Sequence, residues 1–138
     1  MLPVSPFKGR GATLNPSGRF ETLRQELFDD GWETLAEEQP DPRTEVQQET
    51  VRKLIAHNNS PDIPFESSIN PYRGCEHGCV YCYARPSHSY VGLSPGLDFE
   101  TKIFAKTNGP QAREKELRNP NYRPRTIAIG ANTDPYQP

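Results

Sequence analysis

Tyr72-Arg73-Gly74-Cys75-Glu76-His77-Gly78-Cys79-Val80-Tyr81-Cys82-Tyr83-Ala84-Arg85 holds all three cysteines of the chain. Their spacing is C-x3-C-x2-C. An odd, clustered set argues against a disulfide framework and for metal ligation or redox chemistry. Three thiolates on one short loop can hold three corners of a four-iron cubane and leave the fourth iron open to another ligand. A catalytic zinc keeps one position free for the same reason. Gly74 and Gly78 permit positive φ, which lets the backbone wrap closely around a bulky group. The same residues support two other readings. A Cys3His zinc site would combine Cys75, Cys79 and Cys82 with His77 or His88. Cys79-Val80-Tyr81-Cys82 alone has the spacing of a thioredoxin-like pair. His77 by itself reads as a polar loop residue.

Outward from this loop, residues 67–138 read as α/β. Ser67 to Asn70 is a short strand running into the cysteines, which places them at the carboxyl end of a sheet, where parallel folds put their sites. A helical turn or loop follows through 86–96. Phe99 to Lys106 alternates as a second strand. Gln111 to Arg118 is a polar helix stopped by Asn119-Pro120. Thr126 to Gly130 is a third strand, apolar enough for burial on both faces. The alternation implies parallel pairing with right-handed crossovers. It corresponds to the first three or so strand–helix units of a partial (βα) barrel. Because the sequence stops directly after the third strand, it is expected to be the N-terminal fragment of a longer protein.

Residues 1–66 are expected to form a loop-rich N-terminal arm that packs on something else; composition alone also allows disorder. Phe20 to Phe28 suits a short helix with Phe20, Leu23, Leu27 and Phe28 on one face. Residues 44–66 begin like a strand at Thr44, yet Val51, Leu54 and Ile55 suit a helix equally. Lys8-Gly9-Arg10-Gly11 fits a surface turn or a phosphate contact. The 33% hydrophobic fraction and 15 prolines among 138 residues agree with a first half that has little core of its own. A formal net charge of −2 makes no electrostatic case for nucleic acid or membrane. No apolar run is long enough for a secretory signal or a membrane span, so a cytoplasmic location is expected.

The cysteine spacing, with aromatic Tyr81 before the last cysteine, resembles the signature of the radical S-adenosylmethionine (SAM) superfamily. The segment Ser68 to His88 is similar to its spore photoproduct lyase-related branch. Ser94-Pro-Gly-Leu-Asp-Phe-Glu100 and Gly130-Ala-Asn-Thr-Asp-Pro-Tyr-Gln-Pro138 fit the same branch. The resemblance covers about residues 8–138.

It implies a radical SAM barrel and an enzyme with lyase-like chemistry. Its cofactors would be SAM and a 4Fe-4S cluster on Cys75, Cys79 and Cys82. The open iron would chelate SAM, and an electron would cleave it to a 5'-deoxyadenosyl radical. The electron donor would be of flavodoxin or ferredoxin type, and nucleic acid stays open as a partner. Tyr81 stands at the position beside the adenine, with core packing as its alternative. Thr133 stands at a hydroxyl position that contacts SAM, with a loop-shaping turn as its alternative. Lys106 and Asn108 end the second strand on the same rim and are further cofactor candidates. Arg73 and Arg85 flank the cluster loop, where they could tune its charge or lie solvated. The sequence departs from the family twice. Ala131 stands where the lyase has its hydrogen-donating cysteine, so photoproduct repair is not expected. Lys106-Thr-Asn-Gly109 replaces the family's Gly-Gly-Glu step.

Overall fold

The computed structural model describes residues 9–12, 15–20 and 43–138. Two three-stranded sheets carry the cysteine loop between them. The first has the order β1 (Glu45–Glu49), β5 (Lys102–Lys106), β4 (Tyr72–Arg73). In it β1 runs parallel to β5, with Val46 opposite Ile103, and β4 runs antiparallel to β5. The second has the order β2 (Ile55–His57), β3 (Ser67–Ile69), β6 (Ile127–Ile129). Here β2 and β3 are antiparallel, while β3 and β6 are parallel. Because β3 belongs to one sheet and β4 to the other, the chain crosses between sheets just before Cys75.

The segment 44–66, ambiguous in sequence, therefore forms strands in both sheets instead of a helix. Leu54 and Ile55 are buried, and both of their backbone N–H groups donate to the Glu116 carboxylate at 2.8 and 3.1 Å. The expected second strand, Phe99 to Lys106, is divided. Leu97–Thr101 is a one-turn helix, α1, and only Lys102–Lys106 is extended. Pro95-Gly96 begins the turn, and the Asp98 carboxylate accepts the N–H of the preceding Ser94 at 3.0 Å. The Thr101 hydroxyl then donates back to Leu97 O at 2.8 Å. Phe99 and Ile103 are both almost fully buried; alternation alone could not tell a helical turn from a strand here.

The polar helix is α2, Gly109–Leu117, and the region before α1 contains a 3-10 helix at Arg85–Val91. The third strand is β6, but it is not buried on both faces: Ile129 is 66% exposed. β6 pairs with β3 alone and has an open edge. β3 and β6, the expected first and third strands, pair directly in parallel. The two strands between them in sequence, β4 and β5, lie in the other sheet. The helix expected over 20–28 falls, apart from Phe20, outside the described residues.

Among the described residues the buried apolar set is small: Leu54, Ile55, Ala84, Phe99, Ile103 and Ala112. Polar residues fill much of the remaining interior. His88 is 1% exposed. Its Nε2 is 2.9 Å from Lys102 O, and its ring meets Phe99 edge-on with centroids 5.5 Å apart. Burial lowers the His88 pKa, against opposing contributions from the Lys102 carbonyl and from Asp98.

The unfolded chain thus binds a proton that the folded chain resists. Stability should hold above the unfolded pKa of 6.5 and decline as pH falls from there toward the lowered folded value. The slope should be at most about 1.4 kcal/mol per pH unit. Urea midpoints measured against pH should show this decline, and His88→Gln should remove it. An identical slope in the variant would contradict the assignment.

Candidate metal centre on the cysteine loop

β3 and β4 deliver the chain to Gly74, whose φ of 79° turns it into the loop; Gly78, with φ 63°, turns it again. A side chain at Gly74 would collide with Ile103 and the Phe99 carbonyl, and one at Gly78 with Arg10 and Glu100. The loop is therefore packed tightly against α1 and against the N-terminal segment. Cys75 N donates to Phe99 O at 3.0 Å, and Cys82 N donates to Cys79 O at 3.2 Å. All three thiols are free; Cys79 is exposed, and Cys75 and Cys82 are partly so.

The loop's inner face rests on Glu100, whose side chain is fully buried. Its carboxylate accepts from the backbone N–H groups of Arg10 at 2.7 Å, Gly11 at 3.1 Å and Ala12 at 2.6 Å. It also pairs with Arg85 Nη2 at 2.6 Å. Arg85 in turn donates to Cys79 O at 2.9 Å and to the carbonyls of Pro95 and Gly96. Arg85 is 13% exposed, so the solvated reading of this residue is corrected. Arg10 reaches further, from Nη1 to Glu100 O and from Nη2 to Glu76 Oε1, where Thr44 also donates. Lys8-Gly9-Arg10-Gly11 was open to a turn or a phosphate contact. Arg10, Gly11 and Ala12 offer their backbone N–H groups to a carboxylate of the same chain, while Gly9 N donates to Ala12 O at 3.1 Å.

The segment after β6 holds the other side. Asn132 N donates to Asn70 Oδ1 at 2.7 Å. The buried Thr133 hydroxyl donates to Gly74 O at 2.6 Å. Gln137 accepts from Glu76 N at 2.8 Å and donates toward Cys75 Sγ at 3.5 Å. Tyr83 donates its hydroxyl to Ala131 O. Thr133, expected at SAM or in a local loop-shaping turn, here gives its proton to the cysteine loop at Gly74 O, 59 residues earlier.

The remaining candidates separate. Tyr81 is 90% exposed, so none of the described residues packs over its ring beside the cysteines. Asn108 is used elsewhere: its side-chain amide accepts from Val51 N at 2.8 Å and donates to Val51 O at 2.7 Å. That bridge ties the β5–α2 turn to the segment between β1 and β2. Lys106 sits at the end of β5 near Arg73, which pairs with Glu49 at 2.9 Å. Burial, then the Arg73 charge, lowers the Lys106 pKa, with Glu49 opposing.

Neither histidine joins the thiols. His88 is locked between Lys102 O and Phe99. His77 Nε2 lies 3.0 Å from Tyr136 O and 3.3 Å from Asp134 Oδ2. Among the described residues no three His, Cys, Asp or Glu side chains are grouped to hold a metal ion. A single tetrahedral zinc needs such a grouping, with donors about 2.0–2.3 Å from one point. A cubane binds each thiolate at a different iron. For that group the fit is decided by the donor set: three free, accessible thiols on one loop. They satisfy it.

No family model matches the chain, and no solved structure matches it. Uncharacterized proteins of Mycobacterium bovis and of two Mycobacterium tuberculosis strains are each 49% identical to it over 79 residues. The match covers 57% of this chain and 23% of each relative. No helix among the described residues is long and apolar enough to cross a membrane.

Glu100→Gln should loosen the inner face of the loop. The variant leaves Arg85 without its counter-charge and places N–H groups against N–H groups; breaking a buried pair in this way costs about 3–5 kcal/mol. Hydrogen exchange at the amides of Arg10, Gly11 and Ala12 should accelerate together with the loss in denaturation midpoint. Unchanged exchange at these amides would show that the carboxylate does not hold the segment.

Proposed function

We propose that Cys75, Cys79 and Cys82 hold a 4Fe-4S cluster and that the protein acts as a radical SAM enzyme. The observation that carries the reading is the state of the three thiols. They are free and at least partly accessible, on a loop gripped from both flanks, while the two histidines nearest in sequence are engaged elsewhere. When bound, the cluster supplies one electron for the reductive cleavage of SAM.

The chain's own residues prepare that site. Glu100 and Arg85 hold the Cys79 end from beneath, and Arg85 does so through the Cys79 carbonyl. Thr133 holds the Cys75 end through Gly74 O. Val80, Tyr81 and Tyr83 are 76%, 90% and 79% exposed around the thiols. An aromatic ring left open beside a cluster suits stacking against the adenine of SAM, since offset aromatic contacts add about 0.5–1.5 kcal/mol beyond area burial. The whole enzyme would complete a (βα) barrel over this face. Its substrate, a nucleic-acid partner and a flavodoxin- or ferredoxin-type reductant belong to the same proposal, as does a cytoplasmic setting.

Anaerobic reconstitution followed by metal and sulfide analysis tests the reading. The account expects roughly four irons with matching acid-labile sulfide per chain, and loss of most of both in Cys79→Ala. Retention of iron and sulfide when Cys75, Cys79 and Cys82 are all replaced would remove it. About one zinc per chain without iron would instead favour a structural zinc module.

A further inference from the structure

The segment that follows β6 carries a second residue aimed at the thiols, Gln137. Its side-chain amide has one orientation. Oε1 accepts from Glu76 N at 2.8 Å, and Nε2 donates to Asp134 O at 2.9 Å. A backbone N–H can only donate and a carbonyl can only accept, so neither contact survives a flip of the amide. Nε2 has a second hydrogen. The two acceptors near it are Thr133 Oγ1 at 3.3 Å and Cys75 Sγ at 3.5 Å. Thr133 already gives its own proton to Gly74 O, so toward Gln137 its oxygen offers only lone pairs. The second N–H of Gln137 is thus directed between a hydroxyl oxygen and a cysteine sulfur.

We propose that Gln137 is a positioning residue that raises the reduction potential of the cluster by donating an N–H···S hydrogen bond to Cys75. The inference rests on the proposed function, in which Cys75 is a cluster thiolate. As a thiol, Cys75 is a weak acceptor; as a thiolate it carries charge, and a hydrogen bond to an ionised group is roughly twice as strong as a neutral one. Reduction adds a further electron to the cluster and its thiolates, so a donor on the sulfur stabilises the reduced form more than the oxidised form. Hydrogen bonds to the sulfurs are one of the protein's means of setting the potential. Gln137 is well placed for this because two backbone groups fix its amide in advance, and it does not have to reorganise when the charge changes.

The test is a potentiometric titration, followed by EPR, of the full reconstituted chain and two variants. Gln137→Glu keeps an acceptor for Glu76 N and removes the donor. Gln137→Met keeps the length and removes both. The parent must first show its iron and sulfide; if it does not, the proposed function fails before Gln137 is at issue. With cluster content equal across the three proteins, both variants should titrate at a more negative potential, with Glu shifted furthest because it adds charge. Equal content with an unchanged potential would overturn the proposal and leave Gln137 as a brace only. Pulsed EPR of the reduced parent, grown with isotope-labelled glutamine, decides the case even if the variants lose the cluster. A hyperfine coupling from a glutamine side-chain nitrogen is expected, and its absence would overturn the proposal.

Discussion

A carboxylate removed entirely from solvent is the constraint around which this structure is arranged. Burying an ion costs several kcal/mol even after relaxation, and the cost is recovered only if its hydrogen-bonding capacity is met. Glu100 meets it with three consecutive backbone N–H groups from Arg10 to Ala12 and one guanidinium from Arg85. Three of the donors come from the N-terminal segment, which contributes no residue to the small apolar core among the described residues. The buried charge therefore connects the N-terminal segment, the cysteine loop and α1. A network of this kind has to be complete, because a half-satisfied one is worse than an apolar interior.

The cysteine loop inherits its shape from that arrangement. One flank lies on Glu100 and Arg85, and the other is tied to the segment after β6 through Thr133 and Gln137. Between them, the face carrying Val80, Tyr81 and Tyr83 is left open. Rigid backing with an open front suits the proposed site-differentiated cluster, in which three cysteines would be ligands and the fourth position would stay open. The curated relatives are much longer than the segment they share with this chain, which the match covers to 23% of their length.

The parts legible in the sequence were those with local signals. The thiol spacing, the turn glycines Gly74 and Gly78, the polar helix before Asn119-Pro120 and the short strands at Ser67 and Ile127 all show themselves within a few residues. Glu100 did not. Phe99-Glu100-Thr101 reads as the start of an alternating strand, and the N–H groups that hold Glu100 lie about 90 positions away. Lys8-Gly9-Arg10-Gly11 reads equally as a surface turn or a phosphate contact, and nothing local says that a carboxylate of the chain itself binds Arg10 and Gly11. Arg85 looked solvated for the same reason. Asn108 sat beside a plausible rim in the linear pattern, yet its amide closes on Val51, 57 residues earlier. Long-range polar pairing, more than apolar packing, separates the sequence pattern from the structure here.

The central claim is that three thiolates on this braced loop hold a four-iron cluster with one iron left open. Mössbauer spectroscopy of protein reconstituted with isotopically enriched iron tests it most directly. The account predicts a 4Fe-4S spectrum in which one iron changes its parameters when SAM is added and the other three do not. A two-iron centre, or four irons that remain indifferent to SAM, would contradict it.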